Sequence, residues 1–172
     1  MTTLLKIFGG ILAVFAVLAI LILIGARFAD GPLEIIAGGP FASGELVETE
    51  PDWSFITTTG RREVQFQLLD PERSRTTWIV EHEGRIYIPS GYMNSLVGKI
   101  WKHWPYEAEK DGRILLRIDD DIYERELVRV MDGPALPHIL QKLSDKYLGG
   151  APASTDSVDS GDIWIFEVAA RR

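Results

Sequence analysis

The sequence predicts an α+β protein that is mainly β: one N-terminal transmembrane helix followed by a small antiparallel barrel with helices at its openings. Three observations predict it. Residues Ile7–Ala26 run for twenty positions without a charge, an amide or a hydroxyl. Six later segments read as strands, and four of them form two pairs joined by short turns. Only two helical stripes lie between those strands, fewer than the strand-helix alternation of a parallel α/β sheet requires.

The apolar run comes first. At about 1.5 Å per residue, twenty residues span roughly 30 Å, the thickness of a bilayer's hydrocarbon core. A helix satisfies its own backbone in lipid, and no side chain here resists burial there. Secretory signals usually carry a shorter apolar region, so an uncleaved anchor is expected, although Ile24-Gly25-Ala26 would pass as a cleavage site. Lys6 and the amino terminus stand against Arg27 across the span, which places the amino terminus inside and the domain on the extracytoplasmic side. The expected division is an anchor over 1–30, a Gly- and Pro-rich linker over 31–51 and the barrel over 52–172. Leu33, Ile35, Ile36 and Phe41 give the linker apolar groups that can lie in a groove of the domain.

Beyond residue 30 the chain holds 16 Lys and Arg against 24 Asp and Glu. Such an acidic domain gains nothing from phosphate counterion release, so nucleic acid is not an expected partner. The chain has no cysteine, which excludes disulfides, thiolate catalysis and cysteine-ligated metals.

In the barrel region Val64, Phe66 and Leu68 alternate with Gln65 and Gln67, the period of a half-buried strand, and Asp70-Pro71-Glu72 ends it. Thr76–His82 is rich in β-branched and aromatic residues, and Glu83-Gly84 turns it directly into Arg85–Ile88. Arg113–Ile118 and Tyr123–Val130 flank Asp119-Asp120-Asp121 as a second hairpin. Ile163–Val168 is a short apolar run suited to a buried closing strand. Between these lie a stripe of Leu96, Val97, Ile100, Trp101 and Trp104 within Asn94–Glu109, interrupted by Pro105, and a cleaner stripe of Leu136, Ile139, Leu140, Leu143 and Tyr147 stopped by Gly149-Gly150.

Certain residues in this order carry a resemblance. Arg73-Ser74-Arg75-Thr76-Thr77 enters a strand, Gly84–Gly91 (GRIYIPSG) ends in a small-residue turn, and Lys99 and Trp101 precede Gly112–Ile118 (GRILLRI). From about Val64 to Val130 the chain resembles the split β-barrel superfamily of flavin-binding proteins, which includes pyridoxamine phosphate oxidase-like and deazaflavin-dependent nitroreductase-like members. The resemblance implies a flavin mononucleotide (FMN) or deazaflavin cofactor, oxidoreductase-like chemistry and a homodimer. Carried over residue by residue, it implies that Arg75, Thr76, Thr77, Ser90, Gly91 and Lys99 face the cofactor, with Trp101 covering it.

The residues leave other readings open. Trp101, His103, Trp104 and Tyr106 suit core packing, ligand stacking or an interfacial belt. His82, His103 and His138 lack metal-ligand spacing, so no metal is expected; a haem would use His103 as its axial ligand. Asp119–Asp121 lacks the alternating ligands of a calcium loop. Ser90-Gly91 lacks the pattern of a nucleophile elbow, and no hydrolase arrangement emerges. Two functions are therefore weighed: a membrane-anchored, flavin-binding oxidoreductase-like protein, and a non-catalytic tethered barrel that binds a partner or a lipid surface.

Overall fold

The computed structural model describes residues 2–171. The first helix, α1 (Thr2–Ala26), presents its side chains outward from Thr3 until Ala26, which is buried at its foot. Its apolar stretch is 24 residues, long enough to cross a membrane.

After α1 the chain folds back on the barrel. Leu33 and Ile36 bridge each other, and Gly38 pairs with Ser74. The short β1 (Glu45–Leu46) and α2 (Phe55–Thr58) then lead into β2 (Glu63–Leu69) and β3 (Glu72–Trp78). The remaining elements are β4 (Val80–His82), β5 (Arg85–Ser90), α3 (Leu96–Trp101), α4 (Trp104–Lys110), β6 (Arg113–Ile118), β7 (Asp121–Val130), α5 (Leu136–Tyr147), α6 (Asp156–Asp159) and β8 (Trp164–Ala170).

The main sheet runs β3-β2-β6-β7-β8-β5-β4, with each neighbouring pair antiparallel. Its two edges, β3 and β4, are separated in the chain by one residue, Ile79. The sheet therefore curls until its edges are successive pieces of one segment, bonded first to β2 and then to β5. Period and composition predict one strand over 76–82; the structure begins it at Glu72 and breaks it at Ile79. Where the ladder breaks, the Ile79 amide donates to the Tyr147 hydroxyl at 3.0 Å, and the Ile79 carbonyl accepts from the Lys146 ammonium at 3.0 Å. Two orphaned backbone groups are thus satisfied by the end of α5, which is why α5 docks over the split.

Two apolar layers follow from this curl. Inside it, Phe66, Ile88, Ile114, Leu116 and Phe166 pack with Trp104. Outside it, Val80, Tyr87 and Ile165 pack against Ile139, Leu140 and Leu143 of α5. The Glu83-Gly84 turn has both residues at positive φ, 52° and 74°, the geometry whose twist matches a two-residue hairpin. The aromatic helical region divides in two. Pro105 has no amide proton and takes the first turn of α4, and Lys102 leaves helical geometry with ψ 73°. Of the stripe there, Trp104 is core while Leu96, Ile100 and Trp101 are exposed; the side chain of Val97 lies outside the described residues.

The segment after α1 packs closely. Arg117 pairs with Asp30 at 2.8 Å, reaches Gln65 Oε1 at 2.7 Å and lies 4.1 Å over the Phe41 ring. Gln67 accepts from the Phe41 amide at 2.6 Å and is buried. The polar face of β2, which alternation directs to solvent, is therefore roofed by this strap.

Candidate functional site

Trp78 ends the edge strand β3 with its ring stacked on Tyr147 of α5, centroids 4.4 Å apart and planes 5° off parallel. Beside that stack, a crevice of about 570 Å³ lies between β3, α5, the turn after β5 and the loop before α6. Thr76, Thr77 and Trp78 form one wall, and Leu140, Leu143 and Leu148 the opposite one. Glu34 and Ile35 of the strap and Tyr92 complete the lining. The crevice sits here because α5 docks on Ile79 while the chain leaves β5 at Gly91, which keeps the edge of β3 from being fully covered.

The electrostatics of the crevice are uneven. Lys102 is the one cation among the described lining residues, against Glu34, Glu63 and Asp162. Its ammonium donates to the Gly91 carbonyl at 2.8 Å and lies 5.6 Å from the Tyr92 ring centroid. Burial pulls it below the usual lysine range, and the charge of Asp162 opposes that pull.

The residues that the resemblance nominates divide among three places. Thr76, Thr77 and Gly91 line the crevice. Ser90 is buried one residue earlier, with its hydroxyl 3.3 Å from the Met93 sulfur. Arg75 stands opposite Phe66 in the ladder and comes within 3.8 Å of Glu107 on α4. Its Nε, that of Arg73 and Oε2 of Glu107 have no hydrogen-bond partner, and burial pulls both guanidinium groups down. Lys99 and Trp101 are exposed on α3 and are not part of the crevice lining. Lys102 stands in the crevice where the resemblance nominates Lys99. The break in the helix at Lys102 turns that side chain back toward Gly91, and a stripe count across an unbroken helix cannot register this.

His103 is exposed, its Nε2 2.8 Å from the Ile100 carbonyl, and it does not line the crevice. His82 and His138 stack at 5.5 Å, and among the described residues no three metal-ligating side chains cluster. Asp119 pairs with Arg61 at 2.6 Å, and Asp121 accepts from the Tyr123 hydroxyl at 3.2 Å, so the acidic turn is engaged with its own surroundings.

The curl of the sheet, open at Ile79 between β3 and β4, decides the architecture. The fold is of the split-barrel type. Two solved structures are similar to it. A conserved hypothetical protein from Mycobacterium tuberculosis has 17% identity and a TM-score of 0.47, over 77% of this chain and 86% of its own. A Listeria innocua protein named as a pyridoxamine 5'-phosphate oxidase has 13% identity and a TM-score of 0.46, over 68% of this chain and 89% of its own. No family model matches the chain, and no curated protein matches it.

An FMN cofactor would bring a flat ring and a phosphate. The ring suits a crevice of this volume walled by Trp78, Tyr92 and leucines. The phosphate does not fit. It needs converging cationic donors, and Lys102 is already bonded to Gly91 and outnumbered by carboxylates. The guanidinium groups of Arg73 and Arg75 are absent from the lining.

Proposed function

We propose that this chain is a membrane-tethered barrel module that binds a largely apolar ligand, neutral or cationic at its polar end, in the crevice beside Trp78. One observation carries the reading: an apolar crevice whose charged lining is three carboxylates and one engaged ammonium. A phosphate- or carboxylate-bearing ligand would be repelled there, while an uncharged apolar one gains from burial against the leucine wall. The apolar helix α1 supports the tether, and the charges flanking it favour the extracytoplasmic side for the barrel.

Titration of the full-length protein with a neutral naphthylamine dye tests this, read by energy transfer from the protein's tryptophans. Saturable transfer that falls in Trp78→Phe, with a midpoint at least about tenfold higher in Ala153→Trp, which fills the crevice from its exposed loop, is the expected result. Equal binding by wild type and Ala153→Trp would sink the reading.

A second reading is a flavin-type or deazaflavin cofactor with oxidoreductase-like function, and with it a homodimer. It is favoured by Thr76, Thr77 and Gly91 lying on one crevice. Stoichiometric FMN retained by the purified protein, with its visible absorption, would establish this reading over the first.

A further inference from the structure

The exposed apolar side chains are unevenly distributed. Leu96 and Ile100 on α3 are 80% and 75% exposed, Tyr92 is 68% exposed and Trp101 is 52% exposed. Among the described residues no element covers these side chains, yet the backbone beneath them is tightly held. Ser95 caps α3 by accepting from the Gly98 amide at 2.9 Å, and Gly98 lies so close to the Tyr92 carbonyl that a Cβ there would fall 1.8 Å from it. The patch is thus presented by an ordered turn and helix.

Two further exposed apolar groups lie near the foot of α1. Phe28, two residues past the end of α1, and Ile35 are each 85% exposed. Ile35 lies at the tip of a closed loop. Gly38 abuts Gly31, and a Cβ on Gly39 would sit 2.5 Å from the Arg27 carbonyl, so both ends of the loop meet at the helix foot. Four steps of chain lead from Ile35 to Gly39, so Ile35 lies within about 15 Å of that foot. It also lines the same crevice as Tyr92, which joins it to the α3 patch.

Charge follows the same geography. No Asp or Glu occurs between Glu83 and Glu107, in a chain that holds 25, and the charged residues of the α3 region are Lys99 and Lys102. Glu34 and Asp162 stand on its crevice side, while the face of α3 itself, without an acid and with an aromatic pair and a lysine whose stem can reach outward, suits the headgroup level of a bilayer. We propose that the α3 face, with Phe28 and Ile35, is a second membrane contact lying in the headgroup region of the bilayer that α1 crosses. The inference rests on α1 as a span and goes beyond it: the barrel lies down on the membrane, and the crevice lip at Ile35 and Tyr92 meets the lipid surface. Continuity with α1 and the absence of carboxylates from α3 itself select lipid over a second copy of this acidic chain.

The absence of cysteine allows a clean test in the full-length protein. Single cysteines at Ile100, at Phe15 within α1 and at Asp120 in the turn between β6 and β7 are labelled with an environment-sensitive fluorophore. The protein is placed in vesicles of mixed zwitterionic and anionic phospholipid, with and without a lipid-borne quencher. The expected result is emission from Ile100→Cys several-fold above Asp120→Cys and quenched by the lipid quencher, with Phe15→Cys quenched too. Adding Leu96→Glu to the Ile100→Cys protein abolishes that quenching and leaves the unfolding midpoint of the barrel unchanged, since Leu96 is exposed. Quenching at Phe15 without quenching at Ile100 overturns the inference and leaves the tether standing. Bright emission at Ile100 that no lipid quencher reaches, with cross-linking to a second copy, overturns it in favour of a dimer face. Quenching at neither position removes both the span and the inference.

Discussion

Tyr147→Phe is the sharpest test of how this barrel closes. The substitution keeps the ring stacked on Trp78 and the guanidinium of Arg62 4.8 Å over it, and it removes only the hydroxyl. That hydroxyl is the acceptor for the Ile79 amide at 3.0 Å, at the point where the edge of the sheet changes partner. Leaving a half-buried amide unpaired costs about 1–3 kcal/mol, and the Ile79 carbonyl keeps Lys146, so the lower half of that range is expected. For a domain of this size about 3–4 °C accompanies each kcal/mol, so the midpoint should fall by roughly 3–8 °C. Thermal unfolding of the full-length protein in detergent, followed by near-ultraviolet circular dichroism, measures it, with Tyr92→Phe as the exposed control. Tyr147→Leu should lose about 0.5–1.5 kcal/mol more, because the aromatic stack goes as well. A Tyr147→Phe protein within about 0.5 kcal/mol of wild type would refute the argument that α5 is held by the orphaned groups of Ile79. The phenol also carries a pH signature. Burial raises it to about 12, so its contribution is complete below pH 10 and is lost as pH rises from there through 12, a loss absent from Tyr147→Phe.

Asp30 latches the strap by accepting from the Ala42 amide and the Ser43 hydroxyl and by pairing with Arg117, and these contacts lower its carboxyl to about 2. Its contribution is therefore complete above pH 4 and lost as pH falls through 2; pepsin should cut at Phe41 in wild type only near the lower end and in Asp30→Asn already at pH 4. Glu107→Gln removes the one carboxylate beside Arg75 and should cost about 1–2 kcal/mol in urea unfolding, whereas Lys110→Gln, on the exposed side of the same helix, should cost under about 0.5. Gly98→Ala drives a Cβ into the Tyr92 carbonyl and should displace α3, seen as faster amide exchange at Lys99 and Lys102 while β2 and β6 keep their protection.

Much of the fold is legible in the sequence because period and turn chemistry are local. The alternation of Val64, Phe66 and Leu68, the Glu83-Gly84 turn and the stripe from Leu136 to Tyr147 each name an element and its buried face. The candidate site is less legible. Thr76, Thr77 and Gly91 are reached only through the resemblance, and Lys102, Trp78 and the leucine wall of α5 are not reached at all. Their meeting depends on contacts between separate elements, as when Tyr147 meets Ile79, 68 residues away. Arg75 and Lys99 have the chemistry a phosphate needs, but ladder register sets one beside Glu107 and helix direction leaves the other on the surface.

By itself, then, the sequence determined the apolar helix, the strands and their hairpins, the acidic balance of the domain and the absence of cysteine chemistry, because these reside in composition and in periods of a few residues. Only the tertiary structure decided that the sheet splits at Ile79, that α5 closes the gap through Tyr147 and Lys146, and that Lys102 rather than Lys99 enters the crevice. The physical reason is the same in each case. A backbone group or charge left unpaired by the local structure is satisfied by whatever the fold brings near it, and that partner has no fixed distance along the chain.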